Sequence, residues 1–487
     1  MTVQLIRAQY VLGHDGTDHV LHRDAVVVHS GGVVRYVGTE WPEPVDDVID
    51  LGPALLMPGL IDLDAVADID HALLDSWSPD SIRSGYQWSE EYARHRRRAV
   101  FDADDRATIR EYALTHLLLN GITTCMPIAA ETHSDWAETH DDMVRVAAIA
   151  QRLGIRSYLG PSYRSGVTVV RADGHRDVVW EPTLGEDGLA GAVDFLDHVA
   201  ALGDDRLRGV LLPCRIETMT PQLLAATAAA ADDRGVLVRL HAMQGALEHE
   251  LLGQRLGYGP LELLERSGLL HERLLVPHAT FPAGPVAGVP AEAAVRRRLG
   301  AAGVTVVHCP LTAARYGMAL RSFDRFREDG VNLALGTDSA PPDLIRAIDI
   351  GSNLAKILDG RLDAGAIPDY LRAATLGGAR ALGRPDLGRI AVGAQADLTA
   401  VSLRDNRLGV TDDPVRTMVM NGSGRDVVLT VVAGRVVMRD GLVPGVDLDA
   451  LRARAQELFV RMRAAYPDRD HLGRGEDELF PPSFARV

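Results

Sequence analysis

The sequence predicts an α/β fold whose main body is a (β/α)8 barrel of the TIM type. Three observations predict it. The middle of the chain, residues 57–394, alternates short apolar runs with amphipathic stretches, the signature of βα units and a parallel sheet. Eight such runs can be counted. Acidic and imidazole side chains end several of them, on the face where barrels of this type carry their chemistry.

The runs, in order, are LLMPGLIDLD (55–64), GITTCMPI (121–128), RSYLGPSY (156–163), LRGVLLPC (207–214), GVLVRLHA (235–242), LLVPHAT (274–280), VTVVHCP (304–310) and VNLALGTD (331–338). Between them lie helical patterns such as DRATIREYALTHLLLN (105–120) and TPQLLAATAAAADDRG (220–235). Residues 1–56 instead alternate apolar and polar residues with period two, and so do ADLTAVSL and VVLTVVAGRVVMRDG within 395–446. The two chain ends therefore predict one small β-domain built from both. Residues 447–487 read as a C-terminal helix and a polar tail.

A chain of 487 residues with 46% hydrophobic content supports a large core. Its net charge of −16 argues against nucleic acid or an anionic membrane as partner. Cys125, Cys214 and Cys309 each lie in an apolar run, which predicts buried free thiols. The opening MTVQLIRAQYVLG lacks the pattern of a signal peptide, and no apolar run approaches ~18 residues. A cytoplasmic protein with a small-molecule substrate is the expectation.

The strand ends carry the chemistry. The first run ends in Asp62 and Asp64, the fifth in His241, the sixth in His278, the seventh in His308 and the eighth in Asp338. One histidine at a strand end is usually structural, but in a barrel these ends converge on one mouth. Asp64, His241 and Asp338 make an adequate set of three metal ligands that leaves a position for water. Two carboxylates in such a set favour harder ions such as manganese or iron, with zinc still compatible.

The chain resembles the amidohydrolase superfamily, in its triazine hydrolase and cytosine–guanine deaminase-like branch. PGLID, GITT (121–124), LHAMQ (240–244), PHAT (277–280), VVHCPLT (306–312) and LGTDS (335–339) fall in that family's order, and ATLGGARALGRPDLGRIAVGAQADL (374–398) resembles its closing stretch. The resemblance implies a barrel with a composite β-sandwich, and a homodimer. It implies hydrolysis of a non-peptide C–N bond in a small cyclic or heteroaromatic substrate. It makes His241 a metal ligand, has His278 polarise substrate or water, and has Asp338 take the proton of the attacking water.

Two departures bear on that expectation. The family's first strand carries His-x-His, whereas this chain has Asp64 and Val66, and no two of its 17 histidines have that spacing. The fifth strand carries Gln244 where the family often has a proton-shuttling Glu, and an amide cannot cycle a proton. The centre is thus expected to be altered, with one divalent metal (zinc, iron or manganese) or none. The catalytic candidates are Asp64, His278 and Asp338. Expected substrate contacts are Gln244, Trp77, Trp88, Tyr163, Arg164, Glu217 and His308, with the aromatics of the 71–92 loop stacking on a flat ring. Competing readings are a metal-independent lyase, isomerase or cyclase, and a catalytically silent binding homologue.

Overall fold

The computed structural model describes residues 2–69, 88–128, 134–284, 291–321 and 323–485. Eight short strands form the centre: β1 (Leu60–Ala65), β2 (Ile122–Pro127), β3 (Arg156–Leu159), β4 (Leu207–Gly209), β5 (Val238–Arg239), β6 (Leu274–Pro277), β7 (Thr305–His308) and β8 (Asn332–Leu335). All neighbours are parallel, in the orders β4-β3-β2-β1 and β5-β6-β7-β8. A bridge between Leu211 and Val238 joins the two series on one flank. On the other, Asp338 N–H, just beyond β8, donates to Asp64 O near the end of β1 at 2.6 Å. The fold is thus α/β and of TIM-barrel type.

Helices lie between consecutive strands, as parallel pairing requires. Local chemistry sets their ends. Pro221–Arg234 begins with the Thr220 hydroxyl accepting from Leu223 N–H and with Pro at its first position, and stops at Gly235, whose φ is +63°. His140–Leu153 opens on a capping box between Thr139 and Asp142 and ends at Gly154, φ +84°. The strands are shorter than their apolar runs. RSYLGPSY divides into Arg156–Leu159 and Ser162–Tyr163 because the chain bends at Gly160-Pro161, where a Cβ on Gly160 would meet Val210 O at 2.1 Å.

The chain ends combine in one eight-stranded sheet. Leu398–Ser402 runs antiparallel to Ala54–Pro58, and Ala54–Pro58 runs parallel to Val3–His14. Ile6, Val11, Val27, Leu56, Leu398 and Val431 form its core. A buried ion pair ties this sheet's neighbourhood to the centre: Arg156 Nε lies 2.7 Å from Asp397, and Asp397 also accepts from Ala433 N–H at 2.7 Å. The C-terminal helix Leu448–Ala465 packs on Ala103–Leu119, with Asp105 accepting from Arg454 and Arg461. Cys125, Cys214 and Cys309 are free and buried. Among the described residues, no helix is long and apolar enough to cross a membrane.

Candidate active site

Asp64 is the hub. Its carboxylate is fully buried at the end of β1. A Cβ on Gly336 would lie 2.7 Å from Asp64 Cβ, so the glycine after β8 allows the close approach of that strand. Asp64 Oδ2 lies 3.6 Å from His241 Nε2, 3.7 Å from His278 Nε2 and 3.6 Å from Cys309 Sγ. His278 Nε2 is in turn 3.9 Å from Asp338 Oδ2. A group at the end of β1 and groups following β5, β6 and β8 therefore meet. His278 and Asp338 both have positive φ, +66° and +59°, which is uncommon for residues other than glycine and concentrates at functional sites. Backbone bonds hold both: His278 N–H donates to Val307 O at 2.8 Å, and Asp338 N–H to Asp64 O.

Asp62 faces another way. It accepts from the Thr337 hydroxyl at 2.6 Å and from Thr337 N–H at 3.1 Å, so it braces the end of β8 against β1. Burial pushes its carboxyl up to about 7, opposed by the Thr337 bonds.

Two buried carboxyls near one another cannot both ionise freely. Burial opposes the charge of Asp64, but His241, Arg239 and His278 outweigh it and hold this group below the usual carboxylate range. Burial, then the charge of Asp64, pushes Asp338 up to about 8. Burial also drives His278 down to about 3, against the attraction of Asp64, so its ring is neutral at neutral pH.

The donor set fits a divalent cation. Ligand atoms of Asp64, His241 and His278 lie within 4.8 Å of one another. His241 Nδ1 pairs with Cys214 O at 3.2 Å, which places the ring proton on Nδ1 and leaves a lone pair on Nε2, facing Asp64. His278 Nε2 makes no hydrogen bond. One carboxylate and two imidazoles suit zinc, iron or manganese. The sequence points to Asp338 as the third ligand with His278 beside it; the geometry instead groups His278 with Asp64 and His241, and brings Asp338 in through His278.

A cavity of about 240 Å³ opens beside this cluster, lined by His241, Asp338, Arg215, Glu217, Gln244 and Glu248 among others. Gln244 Oε1 accepts from Arg215 Nη1 at 2.5 Å, which turns its amide N–H2 the other way. Glu248 caps Ala246–Leu256 by accepting from Gly245 N–H at 3.2 Å. Gln244 and Glu217 thus line the cavity, whereas Trp88, Tyr163, Arg164 and His308 are not among its lining residues. Tyr163 is buried with its hydroxyl 2.9 Å from that of Thr227. Trp88 packs with Tyr92 and Trp136, and the Arg164 guanidinium lies over the Trp88 ring. His308 is buried near the rings of Phe323 and Tyr370. Trp77 lies outside the described residues. Val66 faces a separate cleft of about 1160 Å³, shared with Tyr112, His116 and Arg346.

Two cationic residues of the site were missed. Arg215 follows the fourth apolar run. Arg239 stands two residues before His241, so strand alternation puts it on the same inward face, a signal present in GVLVRLHA.

A model of the amidohydrolase family matches residues 55–437. A 5-methylthioadenosine/S-adenosylhomocysteine deaminase from Natronomonas pharaonis is 30% identical over 427 residues, covering 84% of this chain and 88% of that one. An adenosine deaminase from Xanthomonas campestris with bound zinc superposes with a TM-score of 0.76 at 24% identity, over 94% of this chain and 98% of that one. Atrazine chlorohydrolase from Arthrobacter aurescens TC1, complexed with zinc, gives 0.71 at 22% identity, over 94% and 100%.

Proposed function

This chain belongs to the amidohydrolase family and is a hydrolase of non-peptide C–N bonds; from that premise we propose that it removes an amino group from a small heteroaromatic substrate, at an altered centre built on Asp64. The observation that carries the reading is the meeting of Asp64, His241, His278 and Asp338 beside a cavity that His241 and Asp338 line. The relative from Natronomonas pharaonis is named for deamination of a purine nucleoside, and this supports the substrate class.

Water adds to the ring carbon that bears nitrogen. Asp338, in its ionised form, takes one proton of the water and passes it to the departing nitrogen, so the C–N bond breaks and ammonia leaves; the added oxygen stays on the carbon as C–OH, and its proton shifts to the adjacent ring nitrogen to give the C=O. When no cation occupies its Nε2, His278, kept neutral by burial, can hydrogen-bond the oxygen that adds. Gln244, its carbonyl fixed by Arg215, presents N–H2 to an acceptor atom of the ring and supplies no proton. Asp64, His241 and His278 would hold a divalent cation, which when bound makes a coordinated water more acidic.

In the same reading residues 57–394 close as a (β/α)8 barrel, residues 1–56 and 395–446 form a β-sandwich, and the protein works as a cytoplasmic homodimer. Screening aminated purines, pyrimidines and triazines for ammonia release tests the function. Release by the wild type that Asp338→Asn slows by about 10²–10⁴-fold is expected; no release from any of them, with or without added zinc or manganese, would refute it.

A further inference from the structure

We propose that Arg239 is a built-in counter-ion for Asp64: a positioning residue that aims the carboxylate into the site and balances its charge without a bound cation. Arg239 leaves β5 and crosses the interior to the ends of β1 and β2. Its Nη1 donates to Met126 O at 2.7 Å and to Leu63 O at 3.4 Å, and its Nη2 donates to Pro127 O at 2.8 Å. These bonds fix the guanidinium plane. The same Nη1 lies 3.3 Å from Asp64 Oδ1, while Oδ2 turns toward the two imidazoles. Both side chains of this pair are essentially sealed from water, 2% and 0% exposed.

A strand clip alone would need only the three carbonyls. The approach to Asp64 adds a second consequence, because a permanent cation is buried against one oxygen of a carboxylate whose other oxygen faces the candidate metal position. In a low-dielectric interior such a charge is felt strongly. It spares Asp64 the cost of an unpaired buried charge, and it repels a divalent ion from the same carboxylate. The protein therefore keeps a formed site when free of metal, at the expense of metal affinity. Arginine suits this role because its planar fork serves carbonyls and carboxylate together and stays charged when buried. Arg239 touches none of the reacting atoms.

This inference deepens the reading above, and its tests use no turnover, so its failure and the failure of the hydrolytic reading are distinguishable. Zn²⁺ affinity is measured for Arg239→Lys and Arg239→Met by competition with a chromophoric chelator. Both variants lose the fork, but only Arg239→Met loses the charge. Arg239→Met is expected to bind Zn²⁺ about tenfold more tightly than Arg239→Lys, within the range by which groups around metal ligands alter affinity. Equal affinities, or tighter binding by Arg239→Lys, would overturn the proposal, since a purely structural clip predicts no gain on losing the charge. Should Arg239→Met not fold, the wild type decides: after exhaustive chelation it should keep a cooperative thermal transition, and unfolding on chelation would overturn the proposal.

Discussion

Replacing Thr337 with valine should destabilise the junction between β8 and β1 without opening a cavity, because the two side chains are nearly isosteric. The Thr337 hydroxyl donates to Asp62 Oδ2 at 2.6 Å and accepts from Val66 N–H at 3.1 Å. Thr337 is 1% exposed and Asp62 is 0% exposed, so water cannot replace either bond. Each buried polar group left without its partner costs about 1–3 kcal/mol, so the two together cost about 2–6 kcal/mol. With an unfolding entropy of about 2 cal/mol/K per residue, a chain of 487 residues loses roughly 1 °C of melting temperature per kcal/mol. Differential scanning calorimetry should therefore place Thr337→Val about 2–6 °C below the wild type. Thr337→Ser keeps the hydroxyl and loses one methyl, worth about 1 kcal/mol, and should fall only about 1 °C. A valine variant that melts with the wild type, or a serine variant as damaged as the valine one, would show that these bonds do not brace the junction.

Other outcomes follow from the same structure. Asp397→Ala leaves the buried Arg156 guanidinium without its anion and should cost about 3–5 kcal/mol, read as a lower denaturation midpoint. Asp338→Asn should lower turnover by about 10²–10⁴-fold while leaving substrate binding within a few-fold, as separated by single-turnover kinetics and calorimetric titration. Burial lowers His19 to about 4, so between pH 6.5 and 4 the unfolded chain takes up a proton that the folded chain does not, and stability falls as pH drops through that window. His19→Gln should make the slope of stability against pH shallower there, measured by denaturant midpoints; an unchanged slope would remove His19 as a contributor. Gly160→Ala drives a Cβ to 2.1 Å from Val210 O, costs about 1–3 kcal/mol and should lower the melting temperature by about 1–3 °C.

Much of the arrangement was legible in the sequence because strand ends carry unusual residues. His241, His278 and Asp338 each close an apolar run, and barrel topology brings such ends together. Asp64 was legible by register, one strand period before Val66. What the sequence could not convey is which way side chains turn where the backbone leaves regular geometry. His278 and Asp338 sit at positive φ beyond the last ladder pairs, so period-two reasoning could not decide which of them faces Asp64 and His241. The aromatic candidates show the same limit. Tyr163 lies on a short strand after the Gly160-Pro161 break, and its ring ends beside Thr227 rather than lining the cavity. Arg239 was visible as a charge inside GVLVRLHA, but its function depends on partners from β1 and β2, more than a hundred residues earlier. Gln244 was recognised as a departure, yet its orientation is set by Arg215, and no local pattern links the two.

In the proposed function Asp64, His241, His278 and Asp338 activate water for attack on a substrate carbon. Turnover in oxygen-18-labelled water, followed by mass spectrometry of the organic product, reads this step directly. One heavy oxygen is expected in each product molecule, formed in step with released ammonia. Product formed without solvent oxygen would contradict it and point to elimination or rearrangement at the same residues.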